Sequence, residues 1–148
     1  MRAHKKIISV IFLVAVLLFI VLITRSSNSY LNTLEKNWDI VIPQKSEILY
    51  ETEEKANIFG DGCRYHILEC NIKNVSTDRS FKPYAEISSE NASEITGILD
   101  SLGVPNEKRP KSIDLYYNAV SGKGTASDKL YLLADSDNHI LYVIESFY

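Results

Sequence analysis

The chain has 148 residues, with 16 Lys and Arg against 19 Asp and Glu, for a net charge of −3. Four basic residues and no acidic ones lie in the first 25 positions, so residues 26–148 carry 12 basic and 19 acidic residues, a net charge of −7. Such an acidic domain argues against nucleic acid as a partner, because phosphates attract basic surfaces. A domain of about 120 residues can fold around one core without disulfide or metal staples.

An apolar run from Ile7 to Ile23 opens the chain, with no charge, Gly or Pro and with Ser9 as its only polar residue. As a helix it would reach roughly 26 Å, close to the hydrocarbon thickness of a bilayer. We therefore expect residues 1–25 to form a basic flank and a transmembrane signal anchor.

The basic residues of the N-terminal flank predict the orientation of this anchor. Arg2, Lys5 and Lys6 precede the run and only Arg25 follows it. The positive-inside rule then keeps the N-terminus in the cytoplasm and places residues 26–148 outside the cell membrane. A cleaved signal peptide, which would release the domain, is the alternative. The run is longer than a usual signal and no good A-x-A site follows it, which favours the uncleaved single-pass anchor.

Residues 26–45 are predicted to be a juxtamembrane linker that contains a short helix. Leu31, Leu34 and Trp38 recur at the spacing of one helical face. Trp38 could lie at the membrane interface or in the domain core, and its distance from the anchor favours the core. Pro43 ends a short extended segment, since it cannot donate to a strand ladder.

Residues 46–148 are predicted to form an α+β domain, which begins with two strands, Glu47 to Glu54 and Cys63 to Ile72. Asn74 to Pro83 is polar and is predicted to be a loop. Ser112 to Val120 alternates apolar and polar residues, and places Ile113 on one face with Leu115, Tyr117 and Ala119.

The last two predicted strands, Lys129 to Ala134 and His139 to Phe147, form a hairpin around a turn at Asp135 to Asn138. The order β-β-α-β-β-β predicts a mostly antiparallel sheet with one main helix packed on one face.

The single predicted helix of the domain runs from about Glu90 to Leu102. Asn91 with Glu94 fits a capping box, and Ser89 is the alternative cap. Gly103 suits the left-handed position after a helix, and Gly97 suggests a close approach to the sheet. One apolar stripe must be buried, formed by Ile95, Ile98, Leu99 and Leu102.

The cysteines and histidines give no catalytic, cofactor-binding or metal-binding prediction. Cys63 and Cys70 on one strand would lie roughly 20 Å apart, too far for a disulfide. They form no C-x-x-C pattern, and small buried residues are the simplest interpretation. His66 and His139 lie in no metal motif, and a Cys–His nucleophile has no third group to orient it.

Three further short patterns are interpreted as structural. Gly122 to Thr125 lacks the spacing of a phosphate loop and is predicted to be a mobile loop. Asp135 to Asn138 lacks the Gly and distal Glu of a calcium loop and is predicted to be a turn. The acidic cluster of Glu51, Glu53 and Glu54 is predicted to be a solvated face.

Nine tyrosines are the most unusual feature of the composition. Several lie on the C-terminal strands, where cross-strand aromatic pairs stabilise a sheet. A sheet face left open by a single helix would expose some of them, and Tyr suits interfaces. The sequence therefore offers one candidate partner surface, formed by Tyr116, Tyr131, Tyr142 and Tyr148.

A set of short motifs behind the anchor carries a resemblance to known proteins. They are W-x-x-x-I-P from Trp38 to Pro43, I-L-Y from Ile48 to Tyr50, G-D-G from Gly60 to Gly62, and L-Y-V-I-E-S-F-Y from Leu141 to Tyr148. In this pattern, over most of its length, the chain resembles small uncharacterised membrane-anchored proteins of Gram-positive bacteria. The resemblance implies compartment and fold, and it implies no activity, cofactor or catalytic residue.

From the sequence we expect an extracytoplasmic binding or accessory module without catalytic activity, which contacts another envelope protein through its tyrosines. The alternative is an immunity or inhibitor protein held at the cell envelope, whose acidic domain would steer a basic target. A third hypothesis is an enzyme that uses Cys and His or clustered carboxylates.

Overall fold

The structure is a computed structural model that describes residues 30–43, 45–54, 62–77, 79–120 and 128–147. Within these residues, six strands form one antiparallel sheet and two helices cover it, so the predicted α+β class is confirmed. The predicted anchor from Ile7 to Ile23, the loop at Gly122 to Thr125 and Tyr148 lie outside this part of the chain. Neither helix of the described part has the length and apolar composition to cross a membrane.

The sheet has the strand order β1-β2-β6-β5-β4-β3, and every neighbouring pair is antiparallel. The strands are β1 Glu47–Glu53, β2 Gly62–Glu69, β3 Lys82–Pro83, β4 Leu115–Val120, β5 Lys129–Asp135 and β6 Ile140–Phe147. The predicted C-terminal hairpin is therefore confirmed. It provides two of the inner strands, and β2 pairs with β6 rather than with a sequence neighbour on that side.

Two details of the predicted strand pattern differ from the structure. A short strand, β3, precedes the main helix, and its Pro83 lies at the sheet edge, where a missing N–H is tolerated. Ile113 packs on the opposite face from Leu115, because β4 begins only at Leu115 and the alternation does not extend back.

The first helix, α1, is described over residues 30–38 and buries Leu31, Leu34 and Trp38 at the predicted spacing. The Asp39 N–H donates to the Glu35 carbonyl at 2.9 Å, and Asp39 itself has φ 55°. This left-handed residue ends the helix, a conformation that Asp tolerates better than most side chains. Trp38 is 6% exposed, so its predicted place in the core is confirmed.

The second helix, α2, spans Ser89–Ser101 and is capped by Ser88. The Asn91 N–H donates to the Ser88 hydroxyl at 3.1 Å, so Asn91 and Ser89 are both inside the helix rather than at its cap. At the other end Gly103 has φ 63°, as predicted. The Val104 and Gly103 N–H groups donate to the Leu99 and Asp100 carbonyls, a complete Schellman motif.

Gly97 does not mark a close approach of α2 to the sheet. A Cβ atom at this position would meet nothing within 4 Å, and the residue is exposed. The prediction was wrong because Gly97 lies outside the buried stripe of Ile95, Ile98 and Leu99.

The two faces of the sheet carry separate hydrophobic clusters, one under each helix. The name α1 face is used for the cluster under α1, which consists of Leu31, Leu34, Trp38, Ile40, Ile42, Leu68, Cys70, Ile72, Tyr117, Leu130, Leu132, Ala134, Leu141 and Val143. The α2 face consists of Tyr65, Ile67, Ile95, Ile98, Leu99, Val104, Tyr116, Tyr131, Leu133, Tyr142 and Ile144. The prediction of one covered face is therefore corrected, since the linker helix covers the second.

Candidate functional site

The tyrosines proposed as a partner surface do not form an exposed face. Tyr116, Tyr131 and Tyr142 are 5, 2 and 8% exposed, and all three pack under α2. Tyr148 lies outside the described residues. The hypothesis assumed a sheet face without a covering helix, whereas both faces are covered, so these three tyrosines offer no surface to a partner.

The hydroxyl groups of the buried tyrosines bind acceptors within the domain. The Tyr65 hydroxyl donates to the Lys108 carbonyl at 2.6 Å, and the Tyr131 hydroxyl donates to Glu94 Oε2 at 2.9 Å. The same Glu94 oxygen lies 2.6 Å from Lys129 Nζ. The polar tips of these side chains therefore stabilise the α2 face from within.

The cysteines do not meet the histidines in the way that a nucleophile requires. Cys63 packs against the α2 face, whereas His66 stacks on Tyr30 on the other side of the sheet. Both thiols are free, and burial raises the pKa of Cys63 and raises that of Cys70 to about 11. Protonated thiols of this kind are poor nucleophiles.

A buried carboxylate, Glu145, lies at the centre of a polar cluster under α1. The side chain of Glu145 is on β6 and the residue is 1% exposed. Trp38 Nε1 donates to Glu145 Oε1 at 2.7 Å, and the Tyr30 hydroxyl donates to Glu145 Oε2 at 3.1 Å. Burial raises the pKa of Glu145 above its ordinary value, although these two donors and the charge of Arg64 oppose the rise.

His66 extends the Glu145 cluster towards the sheet edge. Its ring stacks on the Tyr30 ring, with centroids 3.6 Å apart, and its Nε2 lies 3.7 Å from a Glu51 carboxylate oxygen. Burial lowers the pKa of His66 to about 4, and the nearby Arg64 charge acts in the same direction. The Nδ1 atom is buried and has no hydrogen-bond partner, which a neutral imidazole tolerates better than a charged one.

The Glu145 cluster joins α1 to the sheet and lies underneath this helix. Tyr30 and Trp38 are eight positions apart along α1. Both donate to one carboxylate on β6. Trp38 and Glu145 are buried and Tyr30 is half-buried, so the cluster is an internal contact between α1 and the sheet. We assign it to fastening α1, the element that connects residues 1–29 to the domain.

The sequence contains a signal for Glu145 that lies in strand alternation rather than in a short motif. Along β6, alternate residues Leu141, Val143 and Glu145 point to the α1 face. A charged residue at the third inward position of an apolar strand predicts a buried acid with dedicated partners.

An open cleft lies at the opposite end of the sheet from Glu145. Its volume is about 760 Å³, within the range of small-molecule sites. One wall is the segment Asn71 to Phe81, without its undescribed residue 78, and the other contains Ser136, His139 and Leu115. These walls meet because β2 and β5 end, and β6 begins, at the same end of the sheet.

Backbone hydrogen bonds fix both walls of the cleft to the sheet. The Cys70 N–H donates to the His139 carbonyl at 2.8 Å, which ties the hairpin turn to the end of β2. Val41 and Ser76 exchange two hydrogen bonds of 2.9 and 3.0 Å, which tie the long loop to the segment after α1. Backbone hydrogen bonds therefore fix the position of both walls of the cleft.

The cleft combines exposed basic side chains with buried or half-buried apolar ones. Lys73, Arg79 and His139 are exposed. Ile72 is buried, and Phe81 and Leu115 are half-buried against the α1 face. A ligand here would meet apolar surface in the depth of the cleft and donors near its opening.

The sequence predicted the loops of the cleft but not the cleft itself. Asn74 to Pro83 and Asp135 to Asn138 were both predicted as loop and turn, and Asp135 accepts bonds from the Asn138 backbone and side chain, as a turn requires. Their proximity depends on the pairing of β2 with β6, which no local pattern encodes. Three basic residues in or beside the loops of an acidic domain were the available signal.

Among the described residues, no group of three or more His, Cys, Asp or Glu side chains is arranged to hold a metal ion. No protein-family model matches the chain, and neither a curated protein nor a solved structure is significantly similar to it.

Proposed function

We propose that the chain is a membrane-anchored binding module that acts outside the cytoplasm and receives its ligand in the cleft between Asn71 to Phe81 and the turn at Ser136 to His139. One observation carries the proposal. The cleft is the size of a ligand site, its walls are fixed, and it has both apolar surface and hydrogen-bond donors. The proposal replaces the tyrosine face with this cleft as the surface of contact.

The anchoring part of the proposal is supported by the apolar run from Ile7 to Ile23 and by its basic flank. Tyr30 follows Ile23 by seven residues, so the domain begins at most about 25 Å along the chain from the end of the run. In this arrangement α1, fastened through Glu145, holds the domain near the membrane surface.

A fragment screen on the full-length chain in zwitterionic nanodiscs tests the binding role. Amide chemical shifts are recorded for a set of small fragments of varied charge. We expect the bound fragments to shift residues of the cleft, such as Ile72, Ser80 and His139. Binding that is scattered over the surface, or absent from the cleft, would contradict the proposal.

An immunity or inhibitor protein is the second candidate, and the sheet edge at β1 favours it. β1 is an edge strand, and its Glu51 and Glu53 side chains are each 66% exposed. Acidic side chains along this edge would steer a basic protein, with an association rate that falls steeply with salt. Expression in cells challenged with co-encoded or secreted toxins tests it, and the candidate fails if no cell is protected.

A further inference from the structure

The cleft differs in charge from the domain that contains it. Residues 26–148 have a net charge of −7, yet the cleft is lined by three basic residues and, among the described residues, by no acidic one. At physiological salt, charges more than about 8 Å apart are largely screened. Within this distance the lining cations Lys73 and Arg79 act on a ligand in the cleft, and the neighbouring Asp114 carboxylate is already engaged by the Ser136 N–H, which donates to it at 3.0 Å.

Lys73 is the basic side chain with the clearest freedom to bind a ligand. It lies in the short 3-10 turn Ile72–Asn74 and is exposed. None of the ion pairs formed by the described residues involves it. The turn is held in place by the Asn71 side chain, which accepts a bond from the Lys73 N–H at 3.1 Å. The position of the lysine backbone is therefore fixed while its ammonium group remains available.

The apolar lining of the cleft is the second feature that would select a ligand. Phe81 contacts the Tyr117 ring with centroids 6.0 Å apart, and Leu115 begins β4 beside it. These side chains are anchored in the α1 face, so their surface towards the cleft is rigid. A small inorganic anion would leave this surface in contact with water, whereas an anion with a hydrocarbon group would cover it.

We propose that the cleft binds an organic anion that carries an apolar group, with its phosphate or carboxylate held by Lys73, Arg79 and His139. The apolar group lies against Ile72, Phe81 and Leu115. This inference rests on the proposed binding function and names the ligand class for the same site. A soluble phosphate ester and the headgroup region of an anionic lipid share this chemistry, and the proposed proximity to the membrane makes both accessible.

The test is a titration of the full-length chain in zwitterionic nanodiscs, followed by amide chemical shifts. The probes are butyl phosphate, inorganic phosphate and butanol. We expect butyl phosphate to shift the cleft residues and to bind roughly tenfold more tightly than either control, equivalent to about 1.4 kcal/mol. A second preparation uses nanodiscs that contain phosphatidylglycerol. If the bound anion is the lipid headgroup, this preparation shows the same chemical shift changes without any added probe.

Two variants, each of which removes one positive charge, test whether the basic side chains of the cleft bind the anion. Lys73→Gln should weaken butyl phosphate binding by about fivefold to tenfold, since it removes a charge-assisted contact. Lys82→Gln removes the same charge from an exposed neighbouring position on β3 that does not line the cleft, and should change affinity by less than about twofold. Equal weakening by both variants would overturn the inference.

The outcomes also separate this inference from the proposed function. If butanol and butyl phosphate bind the cleft equally well, the cleft is a ligand site without preference for anions, and only the inference fails. If no fragment and no probe binds in the cleft, the proposed function fails as well.

Discussion

The two covered faces of the sheet are stabilised in different ways. On the α2 face, the helix carries its own start and stop signals in Ser88 and Gly103, and one of its two glutamates, Glu94, forms an ion pair with Lys129. On the α1 face, the described part of the helix ends at the left-handed Asp39, and neutral donors from Tyr30 and Trp38 hold the buried carboxylate of Glu145.

The two faces differ because the two helices obtain their stability from different sources. α2 is specified largely by its own sequence, so changes at its ends act locally. α1 is joined to the sheet by the buried side chains of Leu34 and Trp38 and by the hydrogen bonds to Glu145. Sensitivity to pH and to the loss of single donors should therefore be concentrated on the α1 face.

The largest expected effect is that of Trp38→Leu. The change removes ring contacts in the core and one of the two donors to the buried Glu145 carboxylate. We expect the free energy of unfolding to fall by about 4 kcal/mol. Urea denaturation measures it, and a loss below about 1 kcal/mol would show that α1 is not fastened through this contact.

The second effect is the pH dependence that His66 gives to the α1 face. The native fold lowers its pKa from 6.5 to about 4, so below pH 6.5 the unfolded chain binds a proton that the native chain does not. Native stability should therefore fall as the pH falls from 6.5 to 4, by about 3 kcal/mol from this group. The raised pKa of Glu145 acts in the opposite direction, since stability falls as pH rises through its range.

His66→Gln isolates the histidine contribution from that of Glu145. The variant should lose less stability than the parent between pH 6.5 and pH 4, while its Glu145 contribution remains. Denaturation curves at several pH values measure the difference between the two chains. If the difference in the free energy of unfolding between the two chains stays constant from pH 6.5 to pH 4, the claim that His66 is neutral and buried is wrong.

Removing one tyrosine hydroxyl on each face makes a matched pair. Tyr30→Phe leaves Glu145 with one fewer donor in a buried site, and we expect a loss of about 2 kcal/mol. Tyr131→Phe leaves Glu94 in contact with Lys129, and we expect a loss of about 1 kcal/mol. A larger loss for Tyr131→Phe would reverse the proposed contrast between the faces.

The smallest effects are those of two glycine substitutions, both at α2. Gly97→Ala should stabilise the chain by about 1 kcal/mol, because the helix favours Ala and the added Cβ meets nothing. Gly103→Ala should destabilise it by about 1 kcal/mol, because φ is 63° at the end of the helix. Thermal unfolding measures both, and effects of the same sign would show that α2 is not specified by its local signals.

The sequence predicted the elements whose signals are local. The alternation of β5 and β6, the apolar stripe of α2 and Gly103 after it needed only nearby residues. The placement of α1 on the second sheet face and the pairing of β2 with β6 depend on contacts across most of the chain. These distant contacts decided which tyrosines are buried, and three of the four tyrosines predicted to form a surface, Tyr116, Tyr131 and Tyr142, are buried for this reason.

The candidate site could be predicted only in its parts. Arg79 was visible as a basic residue in a predicted loop, Lys73 beside that loop and His139 at the start of the last predicted strand. Their convergence requires the strand order that brings these segments to one end of the sheet. Glu145 was visible as a charge in an inward position of β6, but its partners Tyr30 and Trp38 lie more than 100 residues earlier.

Labelling of intact cells with a membrane-impermeant maleimide tests most directly whether the chain is an anchored module that presents its cleft outside. Ser80→Cys places a thiol in the cleft and Ala3→Cys places one before the apolar run, with the parent chain as background for its two native thiols. We predict that Ser80→Cys is labelled in intact cells, that Ala3→Cys is labelled only after permeabilisation, and that both chains sediment with the membranes. Labelling of Ala3→Cys alone in intact cells, or recovery of a shortened chain from the medium, would contradict the account.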